Sequence, residues 1–365
     1  MKIVFLINIL RQARCIRRVE DFIAHGYNVE VCGFDREGDN RALPSFKHKI
    51  IGHISRTTSY FKRLLMMKNA IKVELAKHDG EVVYYIFSLD VAIAFLLAGG
   101  VRRGYMYEVS DLMELEVGNR VVSIVLTWIN KFIIKHSIET VITSPGFEDF
   151  LFPNQKLNNI SIVANKLNKK ILDLPKPQNR IFDINNITIG FTGAIRNVAI
   201  YNFIEVVGES FPNISLKFHG IFTDDKVYST KIQNAIAKYD NVSYHGPFKN
   251  PNDFPEIYSN IDMVLCLYTA KGNDKVLEPN KLYEAIYFEK PIIVSKNTFT
   301  GAYVEERHIG YTVNGEDKKS IKLFLESLRM HGYNERKNNC AKIPKKDLID
   351  DTTPLFNKLE LILNS

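Results

Sequence analysis

The chain lacks any uninterrupted apolar run long enough to cross a bilayer, and Met1-Lys2 leads into an apolar strand pattern rather than a charged-then-apolar leader. The expected location is therefore the cytoplasm. Cysteine is scarce. Cys15, Cys32, Cys266 and Cys340 are scattered, with no Cys-x-x-Cys pair and no cysteine–histidine cluster, so a zinc site of the usual spacing is excluded and reduced, structural thiols are expected. No Gly-x-Gly-x-x-Gly follows the first strand pattern, which argues against a dinucleotide site and an oxidoreductase. Low-complexity tracts and short-period repeats are also missing.

The formal net charge of +7 asks for an anionic partner: nucleic acid, an acidic membrane surface or a phosphorylated substrate. Nucleic acid fits least, because the cations are dispersed among acids and carry no recognised binding motif. Residues 60–77, from Tyr60-Phe-Lys-Arg-Leu-Leu to Leu-Ala-Lys77, read as a basic amphipathic helix. It is expected either to face the core with a solvated basic side or to rest on anionic headgroups.

With 365 residues, 45% apolar and 24% charged, the chain is an ordinary globular one, too long for a single core, and two domains are expected. The first half opens with strand 3–7, an arginine-rich loop (Arg11, Arg14, Arg17, Arg18), a helix capped by Gly26, and a strand over Val29–Cys32. Further strands are expected at Val82–Tyr85, Tyr105–Glu108 and Thr140–Thr143, giving a parallel Rossmann-like sheet with right-handed crossovers. A polar stretch containing Pro175 and Pro177 marks the boundary. The second half restarts at Ile187-Thr-Ile-Gly-Phe-Thr-Gly193 and alternates strands and helices to a terminal helix at 353–363.

Glu278-Pro-Asn-Lys-Leu-Tyr-Glu284-Ala-Ile-Tyr-Phe-Glu-Lys-Pro291-Ile-Ile-Val-Ser295 carries the most chemistry. Pro279 suits a first helical position, and Pro291 stops the helix before a buried strand. The helix should run about three turns. Its first turn offers unpaired N–H groups and the positive end of the dipole to a phosphate, with Lys281 beside it. Lys281 and Glu284 are three residues apart and share one face, while Leu282, Ala285 and Ile286 pack inward. Strand ends in open α/β sheets are where ligands bind, so the loops after the second domain's strands should converge here.

Glu284-Ala-Ile-Tyr-Phe-Glu-Lys-Pro-Ile resembles the closing part of the nucleotide-binding motif of retaining GT-B glycosyltransferases, in particular glycosyltransferase family 4 enzymes of bacterial polysaccharide synthesis. The resemblance implies an α/β GT-B fold, two Rossmann-like domains facing a central cleft. Residues 1–168 would form the acceptor domain, 169–186 the linker, 187–345 the nucleotide-sugar donor domain, and 346–365 a helix crossing back. It assigns Glu284 to the donor ribose hydroxyls. Two departures stand out: the family's glycine is Glu289, and the position of its first glutamate is Val276, with Glu278 the nearest acid. Ile189-Gly-Phe-Thr192-Gly193-Ala-Ile-Arg196 resembles the family's phosphate loop, so Thr192, Gly193 and Arg196 join Asn280 and Lys281 as candidate donor contacts. In Tyr244-His245-Gly246-Pro247-Phe248, Phe248 is a candidate base contact; a packed aromatic is the alternative. His219 and His245 are expected to be packed rather than catalytic.

In the first domain Ser110 stands where relatives carry histidine, and Asp111 beside it is a candidate for the acceptor or sugar, or a helix cap. Arg11 and Arg14 are candidates for an acceptor phosphate. The implied activity is transfer of a sugar from a nucleoside diphosphate sugar to a saccharide or lipid-linked saccharide, with retention and with catalytic candidates Glu278 and Asp111. No Asp-x-Asp motif is present and no metal or other cofactor is expected, since cationic side chains and the helix dipole take the ion's place. Peripheral contact with the membrane's inner face fits a lipid-linked acceptor. The alternatives are a UDP-sugar 2-epimerase of the same architecture and a non-catalytic nucleotide- or glycan-binding relative.

Overall fold

The computed structural model describes residues 2–39, 41–55, 57–78, 82–175, 180–223 and 226–363, which form two compact units. Unit 1 comprises Met1–Val163 with Asp351–Ser365, and unit 2 comprises Ala164–Asp350.

Unit 1 runs β1 (Lys2–Ile7), α1 (Ala13–Ala24), β2 (Asn28–Arg36), β3 (Lys49–Ile54), α2 (Tyr60–Leu75), β4 (Val82–Phe87), α3 (Leu89–Leu97), β5 (Tyr105–Val109), α4 (Met113–Glu116), α5 (Arg120–His136), β6 (Glu139–Ile142), α6 (Pro145–Leu151) and β7 (Ile160–Ile162). Its seven strands are ordered β3-β2-β1-β4-β5-β6-β7, with parallel pairings. Helices cover both faces of such a sheet, which is why β1 and β4 read as near-continuous apolar runs. Cys15, Val19 and Phe22 of α1 recur at helical spacing and are fully buried. Gly26, at φ +81°, ends that helix in the left-handed conformation expected of it. Phe5 stacks on Tyr85 at 4.7 Å and meets Phe22 edge-on at 5.3 Å. The last helix, Thr353–Leu363, completes this core: Leu355, Phe356 and Leu359 are buried, and Phe356 packs 4.9 Å from Phe22.

Unit 2 runs β8 (Ile187–Ile195), α7 (Val198–Ser210), β9 (Ile214–Phe222), α8 (Lys226–Lys238), β10 (Val242–Tyr244), α9 (Phe254–Ser259), β11 (Met263–Cys266), α10 (Asn280–Tyr287), β12 (Ile292–Ser295), α11 (Phe299–Arg307), β13 (Gly310–Val313), α12 (Lys318–Ser327) and α13 (Met330–Lys342); the terminal helix is α14. The strand order is β10-β9-β8-β11-β12-β13, again parallel. Two apolar cores result, one of Phe191, Phe203 and Phe218, the other of Tyr258, Leu282 and Ile286. The order reverses between β8 and β11, the switch point at which open sheets of this kind take ligands.

The segment expected as a linker is partly built into unit 2. Leu167 N donates to Leu348 O at 3.0 Å and the Leu167 carbonyl accepts from Asp350 N at 2.8 Å, which draws residues 164–168 and 346–350 into that unit, and Ile171 is buried in a 3-10 turn. Pro177 lies outside the described residues. The helix expected to span about three turns, α10, has eight residues, because Glu289 turns the chain at φ +56°. Pro279 is its N-cap, and Asn280 takes the first helical position.

Candidate functional site

At the C-terminal end of β8 the backbone passes through Thr192 and Gly193, the latter at φ +114°, a conformation that L side chains rarely adopt. The neighbouring strand pairs Gly193 with Gly220, at φ +147°. A Cβ on Gly220 would stand 1.8 Å from the Gly193 carbonyl oxygen, so only glycine lets the two strand ends approach this closely. A Cβ on Gly193 would instead point at the Lys281 ammonium, 3.3 Å away.

Helix α10 supplies that ammonium. Leu282, Ala285 and Ile286 are sealed into the core, and the face bearing Lys281 and Glu284 turns toward the end of β8. Both charged residues are themselves buried, at 7% and 4% exposure. Glu284 Oε2 accepts hydrogen bonds from Thr192 Oγ1 at 3.0 Å and from the Tyr258 hydroxyl. Lys281 Nζ donates to the Tyr268 hydroxyl at 3.3 Å and sits 4.5 Å from the centroid of the Phe191 ring. No carboxylate among the described residues lies within ion-pair distance of this ammonium.

Burial holds the Glu284 carboxyl above the usual carboxylate range, opposed by the Tyr258 hydrogen bond, the Lys281 charge and the Thr192 hydrogen bond. For Lys281 burial acts downward, yet Tyr268, Cys266 and Glu284 together outweigh it and hold the amine above its ordinary value. It is therefore a buried cation at neutral pH. A buried ammonium is ordinarily offset by a counter-charge, and Glu284, which contributes to holding this one charged, is not within ion-pair distance of it. Arg196 follows β8, half exposed, with Nη2 4.0 Å from Asp274 Oδ1, a weak tether that leaves its fork available. Asn280 is exposed at the start of α10.

Glu278 is 7% exposed, and its carboxyl is pushed up by burial against the opposing Tyr283 hydrogen bond and the Lys166 and Arg307 charges. Phe248 is partly buried and tilts over Phe254 at 5.6 Å, at the edge of a cavity of about 330 Å³ that His219 and His245 also line. Those two rings stack at 4.7 Å, and burial depresses the pKa of both, that of His219 to about 4.

The arginines of unit 1 do not form an open loop. Arg14, Arg17 and Arg18 belong to α1, and each of three guanidiniums has an internal partner: Arg11 pairs with Asp35 at 2.9 Å, Arg14 donates to the Ser110 carbonyl at 3.1 Å, and buried Arg18 pairs with Glu108 at 3.0 Å. Asp111 is exposed after β5, and the N-cap of α4 is Leu112 rather than Asp111. Where the strand order of unit 1 reverses, between β1 and β4, a recess is lined by Asn8, Arg36, Tyr60, Arg63, Met67 and Asp90. Ser88 precedes it at φ +70° and donates to Asp90. Tyr60, Arg63 and Met67 lie in the basic helix that the sequence marked, but not as site residues, and Asn8, Arg36, Ser88 and Asp90 did not stand out. Tyr258 and Tyr268 were also missed as partners of Glu284 and Lys281, because nothing local marks a tyrosine whose partner is 26 or 13 residues away.

No family model matches the sequence. The chain is 21% identical to the succinoglycan biosynthesis protein ExoL of Rhizobium meliloti (strain 1021), covering 97% of this chain and 91% of that protein. Among solved structures it resembles the sucrose-phosphate synthase of Thermosynechococcus elongatus, with a TM-score of 0.69 at 16% identity over 100% of both chains. It resembles Anabaena HepE in complex with UDP and glucose at 0.69 and 14%, covering 100% of this chain and 99% of that one. A putative UDP-N-acetylglucosamine 2-epimerase of Listeria monocytogenes follows at 0.59 and 12%, covering 92% and 90%. The two parallel-sheet units have the GT-B fold.

Proposed function

We propose that the protein is a retaining glycosyltransferase that moves a hexosyl group from a nucleoside diphosphate sugar to a saccharide or lipid-linked saccharide in polysaccharide assembly. The observation that carries this reading is the buried Lys281 ammonium beside the Gly193 turn, with no carboxylate among the described residues within ion-pair distance, and the Glu284 carboxylate three residues further along the same helix. The diphosphate would lie against Gly193, Lys281 and the N-terminus of α10, with Asn280 at its rim and Arg196 closing over it. Glu284 would use Oε1 for the ribose hydroxyls, Oε2 being engaged by Thr192 and Tyr258. Phe248 would meet the base, and Glu278 the donor sugar. The polysaccharide assignment draws on the name of ExoL, and UDP is the first nucleotide to test because HepE was solved with it.

Catalysis would come from holding the reactants and stabilising charge on the departing diphosphate with Lys281, Arg196 and the helix dipole, without a divalent ion. In unit 1 the recess of Asn8, Arg63 and Asp90 offers donors and an acceptor suited to saccharide hydroxyls, with Asp111 and Arg14 at the end of β5 and in α1 as further acceptor candidates; Arg11 is committed to Asp35. Purified protein incubated with a panel of nucleotide sugars and lipid-extracted acceptors tests this reading. A glycosylated acceptor with the donor's anomeric configuration supports it. An epimerised free sugar formed without an acceptor would point instead to the epimerase reading, and no turnover of any donor by folded protein would point to the non-catalytic one.

A further inference from the structure

Helix α5 carries apolar residues on two opposite faces. Leu126, Ile133 and Ile134 on its inner face are buried with Asn130, as a sheet-covering helix requires. On the opposite face Val121 (70% exposed), Ile124 (54%), Val125 (51%), Trp128 (77%) and Phe132 (41%) recur three and four residues apart and are open to solvent. A helix with two apolar faces is expected to be covered on both.

The charges around it select the cover. The 17 residues of α5 contain Arg120, Lys131, Lys135 and His136 and no aspartate or glutamate. Helix α3 packs against both α5 and α2, placing the three on one side of the unit 1 sheet. There α2 exposes Phe61, Leu65 and Met66 among Lys62, Arg63, Lys68 and Lys72, and its one acid, Glu74, is buried and held by Lys49 and Lys77. A second copy docked across a two-fold axis would bring these cations against one another. An anionic surface with an apolar interior complements both features, and an exposed tryptophan between them suits the headgroup boundary.

We propose that the outer face of α5, flanked by that of α2, is a membrane-docking surface that inserts Ile124, Val125 and Trp128 into the headgroup boundary of an anionic bilayer. The basic helix α2 is then the flank, and α5 the inserting element. This holds whether or not the nucleotide site is active, so its test needs no substrate.

Trp128 is the chain's single tryptophan, which makes its emission a direct reporter. The full chain is mixed with phosphatidylglycerol–phosphatidylcholine vesicles and with pure phosphatidylcholine vesicles, and both flotation and iodide quenching of Trp128 are measured. Flotation with the anionic vesicles, a blue shift and loss of iodide quenching are expected, weakening as salt rises. The double variant Ile124→Glu/Val125→Glu, at two exposed positions, should keep its thermal melt and partition at least about ten-fold less. Failure of the wild type to float on anionic vesicles, equal binding to neutral ones, or unchanged binding of the variant would overturn the proposal. So would a lipid-free dimer that shields Trp128 and dissociates in the variant.

Discussion

Thr192 Oγ1 donates to Glu284 Oε2 at 3.0 Å although the two residues are 92 positions apart, and Tyr258 donates to the same oxygen. One oxygen of the carboxylate is thereby committed to the fold, while Oε1 accepts no hydrogen bond among the described residues. On the proposed reading, the site holds its acceptor aimed before a nucleotide arrives.

That arrangement costs stability at neutral pH. The Glu284 carboxyl titrates above its unfolded value, so between the two values the folded state binds more protons than the unfolded one, and stability falls as pH rises through that window. Glu284→Gln removes the term and keeps an oxygen for Thr192 and Tyr258. Urea unfolding of both proteins from pH 4 to 8 should show the variant gaining on the wild type as pH rises. A constant difference would contradict the assignment.

Lys281→Met removes a buried cation that has no carboxylate within ion-pair distance among the described residues, and keeps much of the volume. Folding stability should hold or rise, while affinity for a nucleoside diphosphate falls by about 1.5–3 kcal/mol, the value of a charge-assisted hydrogen bond. Calorimetric titration alongside a thermal melt separates the two effects.

Gly220→Ala places a methyl 1.8 Å from the Gly193 carbonyl and should cost about 2 kcal/mol or more. Gly246→Ala is the control: it shares a positive φ, +82°, but nothing lies within 4 Å of the added Cβ. Denaturant midpoints should rank wild type, then Gly246→Ala, then Gly220→Ala.

Glu289 occupies the left-handed C′ position of α10, where Lys290 N donates to Ala285 O at 2.8 Å. Its exposed contact with Lys345, at 3.7 Å, returns little. Glu289→Gly should stabilise the protein by about 0.5–1 kcal/mol, read from urea unfolding.

Arg18→Met leaves Glu108 buried and uncompensated, at a cost of about 3–5 kcal/mol, and Glu108→Gln in the same chain should recover most of it. The measurement is again equilibrium unfolding.

These residues show where the sequence was legible. Buried parallel strands are continuous apolar runs, so β1, β8, β11 and β12 were plain, as was the left-handed stop at Gly26. Lys281 and Glu284 were legible as one face of one helix. Other elements hid for physical reasons: β3, Lys-Ile-Ile-Gly-His-Ile, is an edge strand largely open to solvent, and α5 has exposed apolar residues opposite its buried ones, which blurs its period. Glycine at position 301 disguised α11. Arg18 read as part of an open arginine-rich loop because its counter-charge, Glu108, is 90 residues away, and the tyrosines that orient the α10 charges were silent for the same reason.

The central claim is that the end of β8 and helix α10 hold a nucleoside diphosphate. Isothermal titration of UDP, with GDP, CDP and dTDP in parallel, into wild type and Glu284→Gln at neutral pH tests it most directly. Saturable one-to-one binding of one of these nucleotides to the wild type, weakened at least about ten-fold in a fully folded variant, is the predicted result. Equal affinity of the two proteins, or no binding of any nucleoside diphosphate to folded wild type, would contradict it.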